Sequence, residues 1–110
     1  MATLFTKIIE GEIPSHRVYE DDRTYAFLDI NPRAEGHTLV VPKAEVDYLF
    51  DLEPDDYRAL WDACAVVAGA LKATTGCARV FVAVAGFEVP HAHVHLIPTD
   101  RLEDFPFPRS

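Results

Sequence analysis

The sequence has 110 residues and a mass of 12.3 kDa, with 49% hydrophobic and 25% charged residues, which is typical of one globular domain. Its formal net charge of -8 argues against a nucleic-acid partner, because long runs of phosphate require a basic surface. No apolar run approaches the roughly 20 residues that cross a bilayer, and the first residues lack the pattern of a secretory signal. We therefore expect no membrane partner and a cytoplasmic location.

The first predicted element is a short helix within the first ten residues, where Phe5, Ile8 and Ile9 are the apolar positions. A hairpin follows, with its turn at residues 21–23. Five runs of β-branched and aromatic residues, each bounded by turn residues, predict strands at Arg17–Glu20, Tyr25–Asp29, Thr38–Val41, Val80–Ala85 and His93–Ile97.

Two further helices are predicted between the third and fourth strands. The first spans about Lys43 to Phe50. The second spans about Pro54 to Thr75, because its apolar residues recur at spacings of three and four. Together the elements predict an α+β domain over residues 1–110, with a core at about 4–98 and a short C-terminal tail at 99–110. We expect an antiparallel sheet of about five strands, one long helix and one or two short helices, mainly on one face.

The segment His91-Ala92-His93-Val94-His95-Leu96-Ile97 carries the strongest functional signal. If the segment is extended, its three histidines share one face while the apolar residues between them enter the core. Strand stability does not favour histidine at every second position. Two chemistries fit the pattern: a zinc site in which His37 adds a ligand, or nucleophilic catalysis by a neutral imidazole.

The same segment resembles the His-x-His-x-His motif of the histidine triad (HIT) family of nucleotide-binding proteins. Residues 5–14, 19–32 and 36–43 are similar to the family's N-terminal opening, first hairpin and third strand. The resemblance extends from Leu4 to Pro98 and is to a bacterial-type HIT protein. It implies a HIT-like fold, a homodimer, and hydrolysis of purine nucleotides that carry a substituted α-phosphate. Candidate substrates are phosphoramidates, acyl-adenylates and dinucleoside polyphosphates.

The resemblance also implies roles for individual residues. His93 is the expected nucleophile, which forms a nucleotidyl-histidine intermediate. His95 and His37 are expected to flank the phosphate, and His91 to orient the nucleophile. Asp29 would accept hydrogen bonds from the ribose hydroxyls. The expected slot for the base is apolar and consists of Leu4, Phe5, Phe27, Leu28 and Ile30. No cofactor is implied.

Two departures from the family pattern affect these expectations. Phe87 and Glu88 stand where the family commonly has a glutamine and a small hydroxyl residue near the phosphate, and a carboxylate there would repel phosphate. Thr3 and Thr6 replace the cysteines with which many bacterial members bind a structural zinc, so we expect no such zinc. Two alternatives therefore stay open: a nucleotide-binding regulatory module with little turnover, and a zinc-dependent hydrolase.

Overall fold

The computed structural model describes residues 2–101. Its five strands form one sheet in the order β1-β2-β3-β5-β4, and every neighbouring pair is antiparallel. This confirms the predicted α+β class and the five-stranded sheet. The strands are β1 at Arg17–Glu20, β2 at Thr24–Leu28, β3 at Thr38–Pro42, β4 at Arg79–Ala83 and β5 at Val94–Thr99.

Within the described residues, two α-helices accompany the sheet: α1 at Leu4–Ile9 and α2 at Pro54–Thr75. The bounds of α2 match the prediction, since proline is tolerated in the first turn and Gly76 ends the helix in the left-handed conformation with a φ of 70°. Helix α1 confirms the short N-terminal helix. Its N-cap is Thr3, whose side chain accepts the backbone N–H of Thr6.

The predicted helix from Lys43 to Phe50 is wrong, because only a single 3-10 turn forms, at Leu49–Asp51. Other hydrogen bonds use the backbone groups of Val46 that a helix would need. Its carbonyl accepts the N–H of Ala92 at 2.7 Å, and its own N–H donates to the carbonyl of Ala44 at 3.0 Å. The segment thus runs beside the triad segment instead of coiling.

The two faces of the sheet bury different helices. Helix α2 packs its apolar side chains, among them Leu60 and Val67, onto one face. Helix α1 packs Phe5 and Ile8 onto the opposite face, against Phe27 and other residues of β2 and β3. The expectation that the helices lie mainly on one face is therefore wrong for α1. The second face matters for function because it carries His95, which is paired with Leu39.

The triad segment is less regular than predicted. β5 begins at Val94 instead of His93 and continues to Thr99, which is the first residue of the predicted tail. The remainder of that tail beyond residue 101 lies outside the described residues. Ala92, Val94 and Leu96 are all buried, as the alternating pattern predicts. Within residues 2–101, no helix combines the length and hydropathy needed to cross a membrane.

Candidate active site

A groove with a volume of about 660 Å³ lies on the sheet face that α1 partly covers. This volume suits a small-molecule ligand. Three of the four predicted catalytic histidines line the groove, and His91 does not. All seven predicted nucleotide-binding residues also line it: Leu4, Phe5, Phe27, Leu28, Asp29, Ile30 and Glu88.

His93 lies in the groove wall with 7% of its surface exposed. Its Nδ1 is 2.8 Å from the backbone carbonyl of His91. A carbonyl can only accept, so Nδ1 carries the proton and the lone pair of the neutral ring is on Nε2. The Phe5 ring packs edge-on against the imidazole, with ring centroids 5.0 Å apart. Both contacts restrict the orientation of the ring.

His91 is completely buried behind the groove. Its Nε2–H donates to the Pro42 carbonyl at 2.7 Å, and its Nδ1 is 2.7 Å from the hydroxyl of Thr3. Burial lowers the pKa of His91 below its usual value. This neutral ring connects β3, α1 and the triad segment, and it does not reach the ligand space.

His37 and His95 form a hydrogen-bonded pair. The backbone N–H of Arg33 donates to His37 Nδ1 at 3.1 Å, so the proton of the neutral His37 ring is on Nε2. That proton is donated to His95 Nδ1 across 3.0 Å. The Nε2–H of His95 is then the donor that the pair offers to a ligand. Burial lowers the pKa of both rings, that of His95 to about 4, so both are neutral near pH 7.

The glycine before His37 makes this placement possible. Gly36 has a φ of 88°, a conformation that residues with a side chain rarely adopt. A Cβ at this position would also lie 3.3 Å from Pro98 and 3.4 Å from Leu71. A glycine here therefore lets the chain pass closely over β5 and α2 and turn His37 into the groove.

Asp29 lies beside the His37 and His95 pair. Its Oδ1 accepts the backbone N–H of Asn31 at 2.9 Å, and its Oδ2 is 3.5 Å from His37 Nε2. Ligand atoms of Asp29, His37 and His95 lie within 4.8 Å of one another, as in a metal site. These three residues fit a metal ion poorly, however, because the N–H of Arg33 occupies the Nδ1 lone pair of His37. The Nε2 that faces the other two residues is then protonated and has no lone pair for a metal.

The apolar residues divide between floor and rim. Phe5 and Phe27 are buried at 4% exposure each, and their rings meet edge-on. Ile30, in contrast, is 85% exposed at the rim. Phe87 and Glu88 are both exposed and line the groove from the loop before the triad. The rim thus has an apolar and an acidic side chain where a ligand would enter.

The sequence matches the HIT domain family over residues 10–102. The chain belongs to the HIT family. It is 40% identical over 114 residues to an uncharacterized HIT-like protein of Borreliella burgdorferi, an alignment that spans 97% of this chain and 82% of the relative. It is 43% identical over 101 residues to an adenosine 5'-monophosphoramidase of Saccharomyces cerevisiae, spanning 88% of this chain and 62% of the yeast protein.

The fold also matches solved structures of the family. A HIT family protein from Bacillus subtilis superposes with a TM-score of 0.91 at 31% identity, covering 100% of this chain and 82% of the other. The predicted HIT-like fold is therefore confirmed, and the family's nucleotide-binding hydrolases are the functional class to which this HIT protein is related.

Sequence reasoning missed two groups of residues at this site. The first consists of additional groove-lining residues, Ile8, Ile13, Leu39, Val89 and Ile97. The position of Leu39 and Ile97 on the same sheet face as His95 and Phe27 could have indicated those two once the register was known, whereas Ile8 in α1 and the loop residues Ile13 and Val89 carry no such signal. The second consists of Thr3, which hydrogen-bonds His91, and Glu45, which accepts the backbone N–H of Thr3; both come from distant parts of the chain and carry no motif of their own.

Proposed function

We propose that this HIT protein hydrolyses purine nucleoside 5'-phosphates that carry a substituent on the α-phosphate, and releases the nucleoside monophosphate. The observation that carries the proposal is the position of His93. Its ring lies in the groove wall, its Nδ1–H is held by a carbonyl, and its Nε2 has the free lone pair. A neutral imidazole fixed in this way can act as a nucleophile toward phosphorus.

The proposed reaction has two displacements. In the first, His93 Nε2 forms a bond to the α-phosphorus, the bond to the leaving group breaks, and the leaving group takes a proton from solvent water. In the second, water attacks phosphorus, the bond to His93 breaks, and the proton of the attacking water is released to solvent. The His91 carbonyl, which accepts the Nδ1–H at 2.8 Å, stabilises the positive charge that develops on the ring during attack.

The His37 and His95 pair would hold the phosphate. The Nε2–H of His95 donates a hydrogen bond to a phosphate oxygen or to the departing atom, and His37 keeps His95 in the tautomer that allows this. Both rings contribute dipoles without charge, since burial lowers their pKa values. This arrangement orients the α-phosphate in front of His93.

The nucleoside part would occupy the apolar floor. Phe5 and Phe27 offer aromatic surface to a purine, and Asp29 Oδ2 is an acceptor for ribose hydroxyls. The yeast relative, whose name states adenosine 5'-monophosphoramidase activity, supports a phosphorus–nitrogen bond as one scissile bond. Adenosine 5'-phosphoramidate is therefore our first candidate substrate.

We also propose that the reaction needs no metal or cofactor. The metal-like grouping of Asp29, His37 and His95 would require His37 Nε2 to lose the proton that Arg33 fixes there. A regulatory binding module with little turnover is the second candidate function. It is favoured by the exposed Phe87 and Glu88 at the groove rim, because neither offers the polar donors that a phosphate prefers.

A homodimer is the proposed assembly, with a cytoplasmic location. β4 is an edge strand of the sheet, and its Val82 is 48% exposed. Val66 on α2 is 55% exposed. These apolar side chains favour coverage by a second copy of the chain.

A substrate panel tests the proposed activity. It should include adenosine and guanosine 5'-phosphoramidates, an acyl-adenylate and diadenosine tetraphosphate, with a pyrimidine phosphoramidate as a control. We expect release of AMP or GMP with kcat above that of the pyrimidine control. Tight binding of AMP without turnover of any substrate would favour the regulatory module instead.

A further inference from the structure

Four polar side chains from three separate segments meet behind the triad. Thr3 Oγ1 lies 2.7 Å from His91 Nδ1, and Thr6 Oγ1 donates to Glu45 Oε1 at 2.7 Å. The same carboxylate oxygen accepts the backbone N–H of Thr3 at 2.7 Å. We call Thr3, Thr6, Glu45 and His91 the Thr3 cluster. It ties the N-terminus of α1 and the loop after β3 to the segment that carries the nucleophile.

The direction of each hydrogen bond in the cluster can be assigned. His91 Nε2–H donates to the Pro42 carbonyl, so Nδ1 has the lone pair and the Thr3 hydroxyl must donate to it. Thr3 Oγ1 accepts the N–H of Thr6 at 3.1 Å. The single hydroxyl proton of Thr3 therefore goes to His91 at 2.7 Å and not to Thr6 Oγ1, which lies farther away at 3.2 Å. Glu45 holds its two donors as an anion, since hydrogen bonds from Thr3 and Thr6 lower its pKa.

The cluster reaches His93 by two routes. The first is the backbone carbonyl of His91, which accepts the Nδ1–H of His93 at 2.8 Å and so fixes its tautomer and ring plane. The second is Phe5, two residues after Thr3 in α1, whose ring centroid lies 5.7 Å from that of His91 and 5.0 Å from that of His93. A displacement of Thr3 therefore alters both contacts that orient the nucleophile.

We propose that Thr3 and Glu45 are positioning residues for the nucleophile: the Thr3 hydroxyl orients His91, the His91 carbonyl points Nε2 of His93 into the groove, and Glu45 holds Thr3 in place. The inference rests on the proposed role of His93. It adds two residues outside the histidine motif that control the rate of attack without touching the ligand.

Substitutions at Thr3 test the inference most directly. Thr3→Val keeps the shape and removes the hydroxyl, whereas Thr3→Ser keeps the hydroxyl. Thr99→Val is the matched control, because Thr99 is half-buried and its hydroxyl donates to the Ile97 carbonyl at 2.9 Å, outside the cluster. In single-turnover assays we expect Thr3→Val to slow formation of the His93 adduct about tenfold, because it removes the hydrogen bond to His91 together with the cap that Thr3 provides for the N–H of Thr6.

AMP affinity should change less than about threefold in Thr3→Val, because the cluster does not contact the ligand. Thr3→Ser and Thr99→Val should stay within about twofold of wild type in both measurements. A normal adduct rate in a folded Thr3→Val protein, even one with a lowered Tm, would reduce the cluster to a structural role and overturn the inference.

Glu45→Ala provides a second variant in case Thr3→Val does not fold, because Glu45 is exposed and its removal leaves no cavity. We expect its adduct rate to fall about threefold, less than for Thr3→Val, since Thr3 keeps its bond to His91. An adduct rate equal to that of wild type would contradict the role of Glu45.

A readout without turnover separates this inference from the proposed function. In ¹⁵N NMR spectra at pH 7.5, wild-type His93 should be the Nδ1–H tautomer with an unprotonated Nε2. Thr3→Val should show a mixture of tautomers, and Thr3→Ser should not. If no substrate is turned over, the proposed function fails while these spectra still decide the positioning role. An unchanged His93 tautomer in Thr3→Val would then refute the positioning role of Thr3.

Discussion

Nε2 of His37 lies 3.0 Å from Nδ1 of His95, and the backbone N–H of Arg33 fixes which of the two rings donates. Two histidines, of which His37 is buried and His95 is half-buried, are thus joined as neutral partners in the wall of the groove. Protonation of His95 would place two donors against each other at this contact, and protonation of His37 would place its Nδ1–H against the N–H of Arg33. The pair therefore offers a donor to a ligand and also makes the stability of the fold sensitive to acid.

The acid sensitivity should appear in the free energy of unfolding. Burial lowers the pKa of His95 to about 4, whereas an unfolded histidine titrates near about 6.5. Between these two values the unfolded chain binds more protons than the folded one. Stability is therefore complete above the unfolded pKa and falls as pH drops from about 6.5 toward about 4. His37 and His91, whose pKa values are also lowered, should contribute in the same direction.

Thermal unfolding measured from pH 7 to pH 4.5 tests this account. The decline in Tm should be smaller in His95→Asn, which keeps an acceptor near the His37 donor but cannot be protonated. His16→Asn is the control, because His16 is exposed and does not line the groove. Equal declines in wild type and His95→Asn would show that His95 is not the source of the acid sensitivity.

Removal of the Glu88 charge should strengthen binding of nucleoside monophosphates. Glu88 lines the groove, and repulsion of a phosphate by its carboxylate across the rim would cost roughly 1 kcal/mol, or about fivefold in Kd. Isothermal titration of AMP with Glu88→Ser should therefore show tighter binding. Asp47→Asn makes the same charge change at an exposed position away from the groove and should have little effect.

The response to salt adds a second check on Glu88. The affinity gain should shrink at high ionic strength, as expected for a charge interaction. An AMP affinity that is unchanged in Glu88→Ser from pH 5 to pH 8 would mean that the side chain points away from the ligand.

Much of the fold was predictable from the sequence. The five strands and α2 follow from local patterns, since β-branched runs and three-to-four spacing are local signals. The failure at Lys43–Phe50 has a non-local cause, because the Val46 carbonyl is used by Ala92 from the triad segment. The local sequence pattern gives no information about that long-range hydrogen bond.

The site was predictable where a motif exists and unpredictable where only the fold brings residues together. The histidine spacing points to the triad, and the resemblance adds Asp29 and the apolar slot. The structure brings these residues to one groove, except His91, which is buried behind it. The hydrogen bonds that orient the histidines could not be predicted in this way. The tautomer of His37 depends on the backbone of Arg33, and His91 depends on Thr3, which is 88 residues away in sequence.

Sedimentation equilibrium at micromolar concentration tests the proposed homodimer. We expect a mass near twice the 12.3 kDa of one chain. Val82→Lys on the edge strand should shift the mass toward that of a single chain, because burying a lysine in an apolar interface is costly. A wild-type mass near that of one chain would contradict the dimer.

Metal removal tests the proposed metal independence. Prolonged dialysis against a chelator should leave phosphoramidate turnover unchanged, and metal analysis should find less than stoichiometric zinc. The unaltered rate follows from the protonated Nε2 of His37, which has no lone pair for a metal. Activity that is lost on chelation and restored by zinc would instead support the zinc-dependent hydrolase.

Trapping of the covalent intermediate is the most direct test of the central claim that His93 attacks phosphorus. Wild-type protein should be mixed with adenosine 5'-phosphoramidate, quenched within milliseconds at alkaline pH, and digested for mass spectrometry. We expect an acid-labile, base-stable adenylyl group on His93. His93→Ala should lose turnover by roughly three orders of magnitude or more and keep AMP affinity within about tenfold. Full activity in His93→Ala, or an adduct found reproducibly on another residue, would contradict the mechanism.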